Sequence, residues 1–399
     1  MDVTVLPGKL QGTVRAIPSK SQAHRVLICA AFSDKETEII CPQTNDDIDA
    51  TAQCLCMLGA NISRTDNGYL VKPVRSIPTN AVLDCKESGS TLRFMLPIAG
   101  ALGVDATFIL SGRLPMRPLS PLWEEMERMG CELSRPTENT IRCNGKLLSG
   151  IYEINGSVSS QFITGLLFAT ALIPGQSQIK ITGTLESGPY VNMTQQVLSL
   201  FGVKSEQYTV VGTYPFTTPK VYTVEGDWSN GAFFLAAKAL GNSLNIDGLD
   251  TKSAQGDRVC DSILDGLTKE NMTIDCKDIP DLVPILAVTA AANKGATLQN
   301  IARLRLKESD RVDSVINMLR SFGAKCDTDN NTMFISPAQL RGGTIDAVND
   351  HRIAMAAAIA ATVASGPVTI LGADCVKKSY PSFWDEFKQL GGHYEQYIR

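Results

Sequence analysis

Two kinds of helix alternate along the chain, and the spacing of the apolar residues distinguishes them. The first kind opens with small polar residues, sometimes with a basic one, and continues into an almost unbroken apolar stretch rich in alanine. A helix that is apolar on every side is expected to be buried. Six segments have this form, and they begin at Ser19, Ser88, Ser159, Asp227, Pro280 and Asp350.

The second kind of helix is amphipathic, with one polar face, and most of its members end in a glycine that can stop a helix in the left-handed conformation. An amphipathic helix covers a buried one. The segments of this kind are Asp46–Gly59, Pro121–Gly130, Val191–Gly202, Asp310–Gly323, Pro381–Gly391 and a weaker one from about Gln255 to Gly266.

Short runs rich in β-forming residues lie between the helices, as in Ala106–Leu110, Gln178–Ile181 and Val368–Leu371. Strands that alternate with helices indicate an α/β fold. The pattern therefore predicts six repeats of one unit, each with strands, one buried helix and one amphipathic helix. Three repeats in each half would make two similar lobes.

The boundary between the lobes is expected in the link between the third and fourth repeats, Thr223 to Asp227. The run from Val3 to Ile17 precedes the first repeat and is expected to pair with the C-terminal lobe. The predicted lobes are residues 18–226 and residues 1–17 plus 227–399, with hinges near 17–18 and 226–227.

Composition excludes several classes of protein. Hydrophobic residues make up 44% of the chain and charged residues 20%, as in soluble globular proteins. No stretch of 18 apolar residues is present, so we expect no membrane span, and the N-terminal sequence lacks the features of a secretory signal. The 37 basic and 41 acidic residues give a net charge of −4, which argues against a nucleic-acid partner.

The eleven cysteines are scattered, without the spacing of a disulfide framework or a zinc site. Free thiols in a chain of this length indicate a reducing compartment, so we expect a cytoplasmic protein with structural, buried cysteines.

The starts of the buried helices are the strongest functional signal. A helix N-terminus carries unsatisfied amides and partial positive charge, which makes it a site for anions. If these starts face a shared cleft, the cleft binds anions, which favours an enzyme over an inert repeat scaffold. The basic and hydroxyl residues at these starts are Lys20, Ser21, Arg25, Arg93, Ser159, Ser160 and Arg352.

Eight short blocks, in order along nearly the whole chain, resemble the enolpyruvyl transferase family. Each is weak alone, and the series is specific. The blocks are PSKSQAHR at 18–25, GSTLR at 89–93, LPMRP at 114–118, VSSQF at 158–162, IPD at 279–281, LKESDR at 306–311, NDHRIAM at 349–355 and KSYP at 378–381.

This resemblance implies two lobes of βαβαββ units, like an inverted α/β barrel, with two crossing strands as hinges and the active site between the lobes. It also implies the transfer of the enolpyruvyl group from phosphoenolpyruvate to the 5-hydroxyl of 3-phosphoshikimate, with release of phosphate, on the shikimate pathway to chorismate and aromatic amino acids. It implies no metal, no organic cofactor, a monomer, and inhibition by glyphosate.

The resemblance also assigns residues to the two anionic substrates, which need fixed cations and neutral donors. Those implied for 3-phosphoshikimate are Lys20, Ser21, Arg25, Ser159, Ser160, Gln161, Ser187, Asp281 and Lys307. Those implied for phosphoenolpyruvate are Lys20, Gly89, Arg117, Gln161, Arg311, Arg352 and Lys378. At Gly89, a Cβ is expected to press on bound phosphoenolpyruvate.

The same resemblance implies that Asp281 takes the proton of the attacking hydroxyl, while Glu308 with Lys20 or Lys378 moves the others. The residues alone leave a simpler interpretation open, in which Asp281 caps the fifth buried helix. Lys307 to Arg311 would then be a solvated helix start with local charge pairs.

Three residues stand apart from these assignments. Glu87 occupies a position where the family often has asparagine, and its charge would disfavour phosphoenolpyruvate unless it turns away or pairs with a cation such as Arg93. Arg303 also replaces an asparagine, and no role is carried over to either residue. His351 is expected to be structural and to orient Arg352.

Two rival functions remain at the level of sequence. The first is transfer to UDP-N-acetylglucosamine, whose enzymes usually have a Lys-Asn pair near the N-terminus and a Cys or Asp on a mobile loop. This chain has Lys20-Ser21, and its loop from Ser111 to Arg117 holds neither residue. The second is a non-catalytic scaffold that binds small anions.

Overall fold

Two separate hydrophobic cores form in the chain, and the chain divides around them into two units. The N-terminal unit is Pro18–Val224, and the C-terminal unit combines Met1–Ile17 with Glu225–Arg399. The computed structural model describes residues 1–397. Within that range no helix combines the length and the apolar character needed to cross a membrane.

Strands β1 (Asp2–Leu6) and β2 (Gln11–Arg15) open the chain and belong to the C-terminal unit. The N-terminal unit then runs through three repeats of strands and helices. Its elements are α1 (Lys20–Ala31), β3 (Thr37–Ile40), α2 (Asp46–Met57), β4 (Asn61–Thr65), β5 (Gly68–Lys72), β6 (Asn80–Lys86), α3 (Gly89–Leu102), β7 (Asp105–Leu110), α4 (Leu122–Arg128), β8 (Cys131–Thr137), β9 (Thr140–Gly145), β10 (Ile151–Asn155), α5 (Ser160–Leu172), β11 (Gln176–Thr182), α6 (Gly188–Leu200), β12 (Ser205–Glu206), β13 (Thr209–Val211) and β14 (Val221–Thr223).

The rest of the C-terminal unit contains three further repeats. Its elements are α7 (Trp228–Ala239), β15 (Ser243–Asp247), α8 (Cys260–Lys269), β16 (Met272–Asp275), α9 (Val283–Ala292), β17 (Ala296–Gln299), α10 (Arg311–Ser321), β18 (Cys326–Thr328), β19 (Thr332–Ile335), β20 (Gly343–Asp346), α11 (His351–Ala361), β21 (Val368–Leu371), α12 (Phe383–Gln389) and β22 (His393–Tyr397).

One sheet topology recurs in five of the six repeats. In the second repeat the order is β6-β7-β9-β8, with β6 and β7 parallel and the hairpin strands antiparallel. A buried helix crosses between the parallel strands, as a βαβ connection requires. The predicted α/β class with two sets of repeats is confirmed.

The buried helices begin where their capping residues predict. The side chains of Ser19, Ser88, Ser159, Asp227 and Asp350 each accept a hydrogen bond from an amide of the first helical turn. Such a cap contributes about 1 kcal/mol to helix stability. The fifth buried helix differs because a 3-10 turn, Pro280–Leu282, precedes it and no side chain caps it.

The fourth repeat departs from the common topology. Its sheet contains only β15 and β2 among the described residues, and no hairpin follows α8. The predicted end of this helix at Gly266 is wrong, since α8 continues to Lys269. Gly266 serves close packing, because an added Cβ would collide with Met272 Sδ.

Strands distant in sequence complete three of the sheets. In the N-terminal unit, β14 pairs in parallel with β3. In the C-terminal unit, β1 lies between β21 and β22 and pairs antiparallel with both, and β2 pairs in parallel with β15.

Candidate active site

Arg25, on the first buried helix, is a buried cation whose hydrogen bonds go to neutral oxygens. Its side chain donates to Thr194 Oγ1 at 2.9 Å, to Tyr190 O at 2.9 Å and to Ser21 O at 2.5 Å. Burial lowers the pKa of Arg25 to about 10. The residue remains charged at neutral pH, and an anion would be a better partner than these dipoles.

Lys20, one turn earlier on α1, lies beside a carboxylate from the next helix. Its Nζ donates to Asp47 Oδ2 at 3.0 Å, and both side chains are largely buried. This ion pair holds the ammonium group at the N-terminus of α1. The sequence predicts no role for Asp47, because acidic residues are common in the first turn of any helix and Asp47 lies in such a turn.

Two guanidinium groups meet at the start of α3. An added Cβ at Gly89 would lie 2.6 Å from Arg117 Nη1 and 2.7 Å from Arg93 Nη1. Burial first, and then the neighbouring Arg117, hold the pKa of Arg93 well below its usual range. Two cations at one point form an anion site.

The nearest protein groups to a side chain at Gly89 are Arg117 and Arg93, and the expected contact of that side chain with phosphoenolpyruvate stays a prediction. An alanine at this position would displace one or both guanidinium groups. Arg93 also donates from Nη1 to Gln161 Oε1 at 2.9 Å and has a buried Nε without a hydrogen-bond acceptor. The sequence predicts Arg93 at a helix start but does not assign it to either substrate.

The predicted hydroxyl residues lie at the starts of two further helices. Ser159 caps α5 and Ser160 is buried in its first turn, next to Gln161. Gln161 Nε2 donates to Ser90 Oγ at 2.9 Å, which ties α5 to α3. Ser187 is buried in the left-handed conformation immediately before α6.

A buried chain of hydrogen bonds links three helices behind these groups. His24 Nδ1 lies 2.7 Å from Thr51 Oγ1, which lies 2.7 Å from Thr91 Oγ1, and Thr91 donates to Ser88 Oγ at 2.8 Å. Burial lowers the pKa of His24 to about 3, so the ring is neutral. The chain ends at the cap of the helix that begins with Gly89.

In the C-terminal unit, Asp281 gathers three cations. Its Oδ1 accepts from Arg311 Nη1 at 2.6 Å and from Lys307 Nζ at 3.3 Å, and its Oδ2 lies 3.4 Å from Arg352 Nη2. The capping interpretation of Asp281 does not fit this geometry. The residue lies inside the 3-10 turn, and its carboxylate faces cations from three other segments.

Arg311 is surrounded by carboxylates. It is 2% exposed, and its Nε donates to Asp350 Oδ2 at 2.7 Å while a second nitrogen lies 3.6 Å from Glu308. Burial alone would lower the pKa of Arg311, but Asp350, Asp281 and Glu308 together raise it. Lys307 to Arg311 is therefore a partly buried start of α10, in which the buried Arg311 pairs with carboxylates of other segments.

His351 is buried, and its Nδ1 lies 2.9 Å from Oε2 of Glu308, a candidate proton carrier. The expected role of His351 in orienting Arg352 stays a prediction. Asp350 Oδ1 accepts a hydrogen bond from the amide of Arg352 at 3.0 Å and so caps the helix that carries Arg352. The capping role of Asp350 was a signal available in the sequence, and its pairing with Arg311 was not.

The two remaining basic residues occupy different settings. Lys378 donates to Asn349 O at 3.0 Å, next to the segment that carries Asp350 and Arg352. Arg303 donates to Lys277 O at 2.8 Å, which fastens its loop to the neighbouring turn.

Potential metal ligands meet once among residues 1–397, where ligand atoms of Glu308, Asp350 and His351 lie within 4.8 Å of one another. Arg311 already contacts both carboxylates. Its guanidinium group supplies positive charge at this point, which makes the cluster a poor fit for an ion.

Comparisons with known proteins agree along the whole length. Residues 6–387 match the model of the family described as EPSP synthase (3-phosphoshikimate 1-carboxyvinyltransferase). The 3-phosphoshikimate 1-carboxyvinyltransferase of Clostridium kluyveri is 39% identical, with 99% of this chain and 98% of that protein covered. The enzyme of the same name from Clostridium perfringens is 38% identical, with 98% of each covered.

Solved structures show the same fold at lower identity. An EPSP synthase from Acinetobacter baumannii superposes with a TM-score of 0.78 at 22% identity, covering 99% of this chain and 100% of that one. The enolpyruvyl transferase NikO from Streptomyces tendae gives 0.78 at 16% identity, covering 99% and 98%.

Proposed function

The chain belongs to the EPSP synthase family, and we propose that the two clusters described above bind and process the substrates of that family's reaction. The reaction transfers the enolpyruvyl group of phosphoenolpyruvate to 3-phosphoshikimate and releases phosphate, a step of the shikimate pathway to aromatic amino acids.

Buried cations that contact neutral groups or each other are the observation that carries the assignment of binding residues. Arg25 and Arg93 are buried near the starts of α1 and α3, where amides add to the positive potential, and the partly exposed Arg117 approaches the start of α3. A phosphate or carboxylate would replace weak dipole contacts with charge-assisted ones. Arg25, with Ser21 and the hydroxyls of Ser159, Ser160 and Ser187, is assigned to 3-phosphoshikimate.

Phosphoenolpyruvate is assigned to the second group of cations. The residues proposed for it are Arg117 and Gln161, next to Gly89 in the N-terminal unit, and Arg311, Arg352 and Lys378 in the C-terminal unit. Lys20 is assigned to both substrates, and Lys307 to 3-phosphoshikimate. The ion pairs of Lys20 with Asp47 and of Lys307 with Asp281 keep both ammonium groups in place.

Proton transfer is assigned to the carboxylates of the C-terminal cluster. In the first step the 5-hydroxyl oxygen of 3-phosphoshikimate forms a bond to C2 of phosphoenolpyruvate. Asp281 takes the proton of this hydroxyl, while C3 gains a proton. In the second step the bond from C2 to the phosphate oxygen breaks, C3 loses a proton, and the double bond returns. Glu308, with Lys20 or Lys378, handles the proton at C3.

Phosphate release, measured with both substrates and with each omitted in turn, tests the function. Release that needs both substrates supports it. Release with UDP-N-acetylglucosamine in place of 3-phosphoshikimate would favour the sister reaction, and tight anion binding without release would favour a scaffold. Phosphate release that stops in chelator and returns with magnesium or zinc would contradict the expectation of a metal-free reaction.

We place the enzyme in the cytoplasm as a monomer. The eleven free cysteines, ten of them buried, support a reducing compartment. Light scattering coupled to size exclusion measures the mass directly, and a value near twice 43.0 kDa would contradict the monomer.

A further inference from the structure

Glu87, the acidic residue that replaces a common asparagine, lies against the loop that carries Arg117. An added Cβ at Gly112 would lie 2.5 Å from Glu87 Cδ and 2.8 Å from its Oε2. The carboxylate therefore occupies the space that any side chain at position 112 would need. Gly112 has φ +56°, a conformation that also favours glycine.

The backbone around Glu87 directs its side chain toward this loop. The strand β6 ends in a register shift, and Lys86 takes a positive φ of 49°. Lys86 O accepts a hydrogen bond from the amide of Ser111 at 2.8 Å, and its amide donates to Asp84 Oδ1 at 2.9 Å. The ends of the parallel strands β6 and β7 are thus fastened side by side, with Glu87 above the loop that follows β7.

The loop from Ser111 to Arg117, which we call the arginine loop, is cationic and internally ordered. It carries Arg113 and Arg117 and contains the 3-10 turn Leu114–Met116, after which the amide of Arg117 donates to Leu114 O at 3.2 Å. Besides the buried Leu114, two close approaches join this loop to the segment before α3 and to its start: Gly112 lies beside Glu87, and Arg117 lies beside Gly89.

The contact between Glu87 and Gly112 has an electrostatic effect on the arginine loop. Arg93 and Arg117 repel one another across Gly89, and this repulsion favours an arginine loop that swings away from α3. Glu87 Cα is two residues from that of Gly89, a span of at most about 7 Å. A carboxylate there attracts the loop and offsets the repulsion.

We propose that Glu87 is a positioning residue, which docks the arginine loop so that Arg117 is preorganised for phosphoenolpyruvate. The inference rests on the proposed function of this site. The carboxylate of Glu87 is directed to the loop backbone at Gly112, so its charge need not disfavour phosphoenolpyruvate.

A double-mutant cycle between Glu87→Ala and Gly112→Ala tests the docking. Glu87→Ala should raise the KM for phosphoenolpyruvate about fivefold, the upper range for one partly exposed charge contact, while kcat and the KM for 3-phosphoshikimate change less than twofold. Gly112→Ala should do the same by displacing the carboxylate. The double variant should resemble either single one, because both remove one contact.

Two further variants distinguish the effect of the Glu87 charge from the effect of its shape and from a change in the net charge of the protein. Glu87→Gln keeps the shape and should give an intermediate KM. Glu132→Gln removes one charge from an exposed position on β8 and should leave every constant unchanged. The thermal midpoint of each variant shows whether it folds, and Gly112→Ala should lower the midpoint with or without Glu87 because the φ of +56° is strained for alanine.

Additive changes in the KM for phosphoenolpyruvate would overturn the role of Glu87, as would equal changes in both KM values. Wild-type protein that releases no phosphate would overturn the proposed function and this role with it. Active wild-type enzyme with an additive cycle would overturn the role of Glu87 alone.

Discussion

Arg93 in the N-terminal unit and Arg311 in the C-terminal unit are both buried arginines, yet the charges around them differ in sign. Arg93 faces another guanidinium, and burial together with Arg117 lowers its pKa. Arg311 faces Asp350, Asp281 and Glu308, which raise its pKa in spite of burial. The surroundings of Arg93 are thus positively charged, whereas those of Arg311 contain three carboxylates.

The difference indicates a division of work. A cation without a protein carboxylate gains most from a bound anion, so the N-terminal cluster is suited to substrate binding. Carboxylates fixed by several cations are suited to proton transfer in a defined geometry. Variants of the cations Arg25 and Arg93 should therefore change KM, and variants of the carboxylates Asp281 and Glu308 should change kcat.

Asp281→Ala should have the largest effect. Loss of a general base lowers kcat by roughly two orders of magnitude or more while substrate binding persists. Asp327→Ala, at an exposed acid of the same unit, serves as control. Steady-state kinetics decide the matter, and a normal kcat with weaker binding would make Asp281 a positioning group.

Arg25→Met should raise the KM for 3-phosphoshikimate about thirtyfold with little change in kcat, because it removes a charge-assisted contact worth about 2 kcal/mol. Arg142→Met, at an exposed salt bridge, is the control. Since Arg25 also bonds to Thr194 and Tyr190, the thermal midpoint must be measured alongside. A selective fall in kcat would break the proposed division.

Gly89→Ala should weaken glyphosate about tenfold and phosphoenolpyruvate by less, since the methyl group would displace Arg117 and Arg93 at a cost of about 1–3 kcal/mol. Glyphosate carries a phosphonate and a carboxylate and is longer than phosphoenolpyruvate. Inhibition series at varied phosphoenolpyruvate measure both constants. Non-competitive inhibition, or an alanine variant as sensitive as wild type, would show that this cationic point is not the shared site.

The smallest effect concerns acid stability of the N-terminal unit. His24 has a folded pKa of about 3 and an unfolded value near 6.5, so the unfolded chain binds the extra proton between these values. Stability from this group is complete above pH 6.5 and falls by about 2 kcal/mol on reaching pH 5.

His24→Gln tests this by calorimetry at pH 7.5 and pH 5. The variant should have a lower midpoint than wild type at pH 7.5, and the gap should narrow at pH 5. A gap that widens with acid would mean that the ring is protonated in the folded protein, and the neutral hydrogen-bonded chain to Ser88 would then be wrong.

The repeats could be predicted from local sequence because each one contains its own apolar run, and most contain their own helix-capping residue. Continuous apolar runs marked the buried helices, and Ser19, Ser88, Ser159, Asp227 and Asp350 marked their starts. The missing hairpin of the fourth repeat was also visible in principle, since the segment between Asp247 and Met272 is too short for both a helix and a hairpin.

Partners supplied by distant segments could not be predicted. Asp47 and Lys20 are on different helices, and Asp350 reaches Arg311 across 39 positions of sequence. The direction of Glu87 depends on a register shift and on a positive φ at Lys86, neither of which a composition pattern encodes. Candidate residues could be named from motifs, but their ion pairs required the fold.

The pairing of β1 with β21 has a consequence for synthesis on the ribosome. Val3 pairs with Ile370, so this sheet cannot close until nearly the whole chain has been made. The N-terminal unit is one continuous segment, and its last strand, β14, completes its own first sheet. Residues 18–224 can therefore fold during translation, while β1 waits for strands that are made last. Contacts between residues so distant in sequence delay the final folding step.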